Sequence, residues 1–204
     1  MYAIVEDNNI TQYINNPKSV VIGDVRYPAK IFELWSQSEK ESIGIYEIIV
    51  DKTNYKDPAY YNNTSSSYTF ADGQVTESWG TATPKRLEDE DAVDEDGENI
   101  LDDDGNQVIN YGLKTEKKRI VKQQASGLLE KTDWHNHKAL DDDTYTIPDN
   151  VKTYRANVRA KSNEMETQID ACTNIDELKT LYEYTRQEDG TITRPLAEFP
   201  VLES

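Results

Sequence analysis

The chain is poor in the residues that most often carry chemistry. Its 204 residues include one cysteine, Cys172, and two histidines, His135 and His137. A lone cysteine excludes an intrachain disulfide framework and fits a reducing compartment. No stretch approaches the roughly 18 consecutive apolar residues of a membrane span, so membrane insertion is not expected. The opening MYAIVEDNNI has neither the basic lead nor the apolar core of a secretion signal. Basic residues are also scarce: 22 Lys and Arg stand against 39 Asp and Glu, for a net charge of −17. Phosphates and anionic headgroups would repel such a chain, so neither nucleic acid nor an anionic membrane surface is an expected partner. Apolar residues make up only 36%. That supports a thin or divided core, with burial against other subunits as a further source of stability.

Recognisable chemical motifs are missing as well. There is no glycine-rich phosphate loop, no serine elbow and no paired cysteine for zinc. His135 and His137 are spaced by one residue with Asp133 and Asp141 nearby, in what reads as a polar loop, and form an incomplete metal shell. A calcium loop centred on Gly97 would use Asp94, Asp96 and Asp103. However, Ala92 stands where the first ligand belongs, and no amphipathic helix flanks the segment. Carboxylates are too abundant for a glycosidase pair to be singled out. No catalytic residue, cofactor or metal ligand is assigned, and the chain is expected not to be an enzyme.

Hydropathy patterning predicts an α+β chain. A β-rich module with one short helix spans 1–84, an acidic connector 85–112, and a module of about three helices 113–204. In the first, Tyr2–Val5 and Ile10–Ile14 flank a turn at Glu6–Asn9, and Val20–Ile22 and Val25–Tyr27 flank Gly23-Asp24. Ser36 with Glu39 is a capping box opening a helix that stops at Gly44, and Ile45–Val50 resumes a strand. The apolar runs at Ile4-Val5, Val20–Ile22 and Ile45–Val50 need cover, from the helix after Ser36 or from a partner. Residues 51–84 are rich in Tyr, including Tyr55, Tyr60, Tyr61 and Tyr68, and Asp72-Gly73 marks a hairpin. Between Glu88 and Asp104 lie eleven acidic residues and no basic one, with turns at Gly97 and Gly105. This reads as a solvated linker.

A helix from Leu113 has Ile120, Val121, Ala125, Leu128 and Leu129 as its stripe, with Lys114, Lys117, Lys118, Arg119 and Lys122 on an exposed face or paired with the acidic stretch before them. The next is narrower: Val151, Tyr154, Val158, Met165, Ile169 and Cys172. A last helix follows Asn174, with Glu177 three residues on. Trp134 reads as a core plug between helices, with Arg155 as its edge partner.

Two segments resemble a known group of proteins. Leu128-Leu129, Thr132-Asp133-Trp134, Ile147-Pro148, Tyr154-Arg155 and Arg159 are similar to a pattern in tail-assembly chaperone and tail-fibre-associated domains of tailed bacteriophages. There a Trp-Pro pair is usual near the end, where this chain has Phe199-Pro200. Gly23, Tyr27-Pro28, Ile31-Phe32, Leu34-Trp35-Ser36, Glu39 and Gly44–Ile48 are similar to an N-terminal module of phage tail-fibre and tail-associated proteins. The resemblance implies a non-enzymatic tail protein, a structural component or assembly factor. Its partners would be phage tail or tail-fibre proteins and further copies of itself. Its place would be the virion tail, or the host cytoplasm during assembly. Two other readings stay open: a host-surface glycan-binding module using the Tyr-rich region, and a tail-tip cell-wall glycan hydrolase.

Overall fold

The computed structural model describes residues 1–202. The chain is α+β, with its long strands before Gly80 and its long helices after Gly112. It divides into two compact units, Met1–Thr83 and Pro84–Ser204.

In the first unit β1 (Tyr2–Glu6) and β2 (Asn9–Ile14) form a hairpin whose turn residues Asp7 and Asn8 both adopt positive φ. Asp and Asn tolerate that conformation better than most residues, and the resulting turn matches the strand twist. β3 (Val20–Ile22) and β4 (Val25–Tyr27) form a second hairpin. Two short helices follow, α1 (Ile31–Leu34) and α2 (Gln37–Glu41). The capping box is formed: Glu39 N–H donates to the Ser36 hydroxyl, and Ser36 N–H donates to the Glu39 carboxylate at 2.7 Å. The Ser36 hydroxyl, donating to that carboxylate, and then the Ser36 N–H hold the Glu39 carboxyl below its ordinary pKa. β5 (Ile45–Asp51) comes next, then β6 (Tyr61–Asn62), β7 (Ser66–Ala71), β8 (Gln74–Trp79) and β9 (Thr83–Pro84).

The main sheet runs β2-β1-β5-β8-β7, with β5 and β8 parallel and the other pairs antiparallel. Its outer strands approach each other, with the Tyr13 and Tyr68 rings 4.7 Å apart, so the sheet curls. Both faces of β1 and of the first half of β5 are therefore covered. On one, Ile4, Ile14 and Ile45 pack with Val20 of the β3–β4 hairpin and with Ile31 and Phe32 of α1. On the other, Ala3, Val5, Ile48 and Val75 pack with Tyr68 and Phe70. The helix after Ser36, which stood beside a partner as a possible cover, contributes little: α2 buries only Lys40, which lies over the Tyr2 ring. Val21, Ile49 and Val50 remain exposed. Gly44 ends the helical stretch at φ +83°, and a Cβ there would lie 2.6 Å from the Val5 carbonyl oxygen.

The second unit begins with the acidic stretch, which is solvated as its composition predicts and folded into bridged turns. β10 (Glu90–Asp91) pairs antiparallel with β11 (Ile109–Asn110), and two further bridges, Val93 with Asn99 and Leu101 with Gln107, close two arms. The arms are repeats, AVDEDGEN and ILDDDGNQ, eight residues apart and alike in geometry. Asp94 Oδ1 accepts from the Asp96 and Glu98 N–H groups, and Asp102 Oδ1 from those of Asp104 and Asn106. At the centre three backbone bonds form a ring. Ala92 N–H donates to Val108, Val108 to Ile100, and Ile100 to Ala92, at 2.8, 2.9 and 2.9 Å. The carboxylates stay in water at the rim, and only Ala92 is buried.

α3 (Leu113–Glu130) grows out of this junction. The Gly112 N–H and the Thr115 hydroxyl donate to Asp89, and the Leu113 and Lys114 N–H groups donate to the carbonyls of Arg86 and Leu87. These bonds satisfy N–H groups that a helix N-terminus leaves open, and Asp89 complements the positive end of the helix dipole. Of the basic residues at the start of α3, read either on an exposed face or paired with the acidic stretch before them, Lys114 is buried in an ion pair with Glu88 of that stretch.

α4 (Asp133–Asp141), α5 (Asp149–Ala171) and α6 (Ile175–Tyr182) follow. Two-residue strands β12 (Thr185–Arg186) and β13 (Ile192–Thr193) close the Asp189-Gly190 turn. α5 buries Val151, Tyr154, Val158, Met165 and Ile169, the stripe read from sequence, with Cys172 just beyond. Ala125 of α3 packs on Tyr154 and Val158, with Leu128, Leu129 and Phe199 around them. Asn174 caps α6 by accepting from Glu177 N–H at 2.9 Å. The segment read as a polar loop after Trp134 is α4.

Candidate functional site

The corner between α3 and α4 is the most elaborated polar site of the second unit. α3 ends at Glu130, leaving carbonyls without helical partners. Arg155, projecting from α5, donates through Nη1 to the Leu129 carbonyl at 2.8 Å and to the Thr132 hydroxyl at 2.7 Å, and its Nη2 lies 2.8 Å from Asp133 Oδ1. Thr132 in turn donates to the Leu129 carbonyl and is only 2% exposed. The guanidinium therefore holds a helix end, a turn and the start of the next helix at once. Its donors are engaged inside the protein, which makes this a structural clamp.

Trp134 is not the core plug expected of it. It sits on α4 at 53% exposure, one face against the His135 ring at a centroid distance of 3.7 Å. Arg155 partners Thr132 and Asp133 instead. Thr132 occupies the corner, where its hydroxyl both accepts from Arg155 and donates to the Leu129 carbonyl.

The two histidines do not converge. His135 is buried, with Nδ1 against the Tyr145 hydroxyl, and Lys138 lies over the Tyr145 ring at 4.3 Å. His137 is exposed two residues further along the helix, where a 100° turn per residue sends it to a different side. Among the described residues no group of three His, Cys, Asp or Glu side chains could hold a metal ion. Asp94 is occupied with backbone N–H groups of its own arm. Hydrogen bonds from Asn106, its backbone N–H first, hold the Asp102 carboxyl below the usual carboxylate range. Cys172 is buried, donates weakly to the Gln168 carbonyl, and has its pKa raised by burial.

The Tyr-rich region of the first unit is better exposed. Tyr55 stands edge-on to Trp79 at 5.2 Å, and Asn54 donates to the Trp79 carbonyl at 3.1 Å. Tyr68 donates to Glu77 at 2.8 Å, which raises the Tyr68 pKa. Apolar side chains also reach solvent in this unit: Val21, Val25, Leu34, Ile49 and Val50. Sequence reasoning had marked Val21, Ile49 and Val50 through their apolar runs, but not Leu34. Among the described residues no helix is long and apolar enough to cross a membrane. The arrangement offers surfaces for contact. No family model, curated protein or solved structure matches the chain.

Proposed function

We propose that the chain is a non-enzymatic tail protein of a tailed bacteriophage, acting as a structural component or assembly factor through protein–protein contacts. The sequence resemblance supplies the class. The observation that supports it most directly is the set of apolar side chains left in water on the first unit, Val21, Val25, Leu34, Ile49 and Val50. Large exposed apolar side chains on an otherwise highly charged chain suit a surface that is covered in an assembly. The finer organisation fits the same reading: a β-rich module for docking, and a helical module joined to it through the acidic stretch. The test is mass spectrometry of purified particles and of immature tails. A structural component stays in the particle, and an assembly factor is found with the immature tails only. Absence from both removes the reading.

A second reading is recognition of a host-surface glycan. Tyr55, partly exposed against Trp79, offers the apolar face and polar edge that stack on sugars. Binding to a glycan array that is lost in Tyr55→Ala would favour it.

A further inference from the structure

The outward face of α3 carries two features that a single copy of the chain leaves unexplained. Ile120, although apolar, is 39% exposed. Gly127 lies in mid-helix without a positive φ, and a Cβ added there would meet nothing within 4 Å. Glycine inside a helix costs about 0.5–1 kcal/mol relative to alanine, and here neither backbone conformation nor crowding within the chain requires it. Both residues belong to one stripe, Glu116, Ile120, Gln123, Gly127 and Lys131, opposite the Val121 and Ala125 side that is buried. Lys131 keeps helical backbone angles beyond the last turn (φ −58°, ψ −20°).

We propose that this face is a self-association surface, on which a second copy of the chain lays its own α3 antiparallel. The order of the stripe identifies the occupant. If two copies cross between Gln123 and Gln124, Ile120 of each falls on Gly127 of the other, an apolar knob over the one position without a side chain. The same placement sets Glu116 of each copy near Lys131 of the other, so unlike charges meet at both ends, and the two glutamines meet at the centre. Among the described residues the Glu116 carboxylate pairs with Arg119 of its own helix, at 2.8 Å on the surface, a contact of the kind that adds little. A net charge of −17 per chain opposes association, so the contact belongs to moderate salt, where the screening length is about 8 Å. This inference does not depend on the phage reading.

Sedimentation equilibrium of the full chain over a concentration series tests it. The expected result is a reversible monomer–dimer equilibrium. Gly127→Gln should weaken the dimer about tenfold or more, while the melting temperature of the dilute monomer stays level or rises, since its side chain enters open space. Glu116→Lys and Lys131→Glu should each weaken the dimer, and combining them should restore it. A chain that stays monomeric throughout, a dimer untouched by Gly127→Gln, or a double variant that fails to recover overturns the proposal.

Discussion

Arg155 reaches from the second turn of α5 to the hydroxyl of Thr132, 2.7 Å away, and so fixes the corner where α3 gives way to α4. Its side chain is buried, so its removal should be costly. Arg155→Leu takes one donor from the Leu129 carbonyl, removes the donor that the Thr132 hydroxyl accepts from, and leaves Asp133 without its cation. A loss of about 2–3 kcal/mol is expected. Trp134→Ala, one residue from that network, should cost less than about 1 kcal/mol, because half of its ring is already in water. Urea denaturation of the two variants checks the order, and a larger loss at Trp134 would return the indole to the core.

A pair of glycines in the second unit makes opposite demands. A Cβ at Gly112 would lie 2.3 Å from the Glu88 carbonyl oxygen and 2.5 Å from that of Leu87, both backbone atoms that cannot step aside. Gly112→Ala should therefore lose about 3 kcal/mol or more, by displacing the segment Arg86–Asp89 that caps α3. Gly127→Ala should gain about 0.5–1 kcal/mol in dilute solution from helix propensity alone. Thermal melts of both variants at low concentration decide the matter, and equal effects would contradict the crowding at Gly112.

Acid should loosen the arms and caps before the apolar cores. Asp102, Asp189 and Glu177 are held below their ordinary values, chiefly by hydrogen bonds from Asn106, Thr191 and Thr173 respectively. A carboxyl depressed in the folded state contributes its full stabilisation above its unfolded pKa, about 3.9 for Asp and 4.3 for Glu. That contribution disappears as pH falls through the lower, folded value. Carboxyl carbon shifts followed by NMR should titrate below those reference values. The Asn106 amide shift should move together with Asp102, and a midpoint at or above 3.9 for Asp102 would refute its bonding.

Cys172 should be sluggish toward alkylating agents. Burial and the nearby Glu177 raise its pKa, so little thiolate forms at neutral pH. Iodoacetamide should react at least about tenfold more slowly with the native chain than with the chain in denaturant. Equal rates would place the thiol at the surface.

Local chemistry with a fixed spacing was legible in the sequence. Ser36 with Glu39 and Asn174 with Glu177 cap helices, Asp72-Gly73 turns a hairpin, and the Val151–Ile169 stripe faces inward, because each signal lies within a few residues. α4 was not legible, since DWHNHKALD has no apolar period and its Leu140 points into water. It is held by contacts made elsewhere: Thr132 at its start, Tyr145 against His135, and Arg155 from another helix. The cover on both faces of β1 and of the first half of β5 depends on the curl of the sheet, which pairing across distant residues creates. Composition misled at the acidic stretch. Its charge suggests disorder, whereas the eight-residue repeat, visible in hindsight as AVDEDGEN and ILDDDGNQ, satisfies its own backbone.

That repeat differs from the tandem units of elongated arrays in one respect. In an array each copy hands its unpaired edge to the next, so units can be gained or lost while the architecture continues. Here Ala92, Ile100 and Val108 spend their central donors and acceptors on one another in a closed triangle. A further member would find those central groups already occupied. The segment therefore closes on itself, and it is better suited to a unit of set size than to an adjustable spacer.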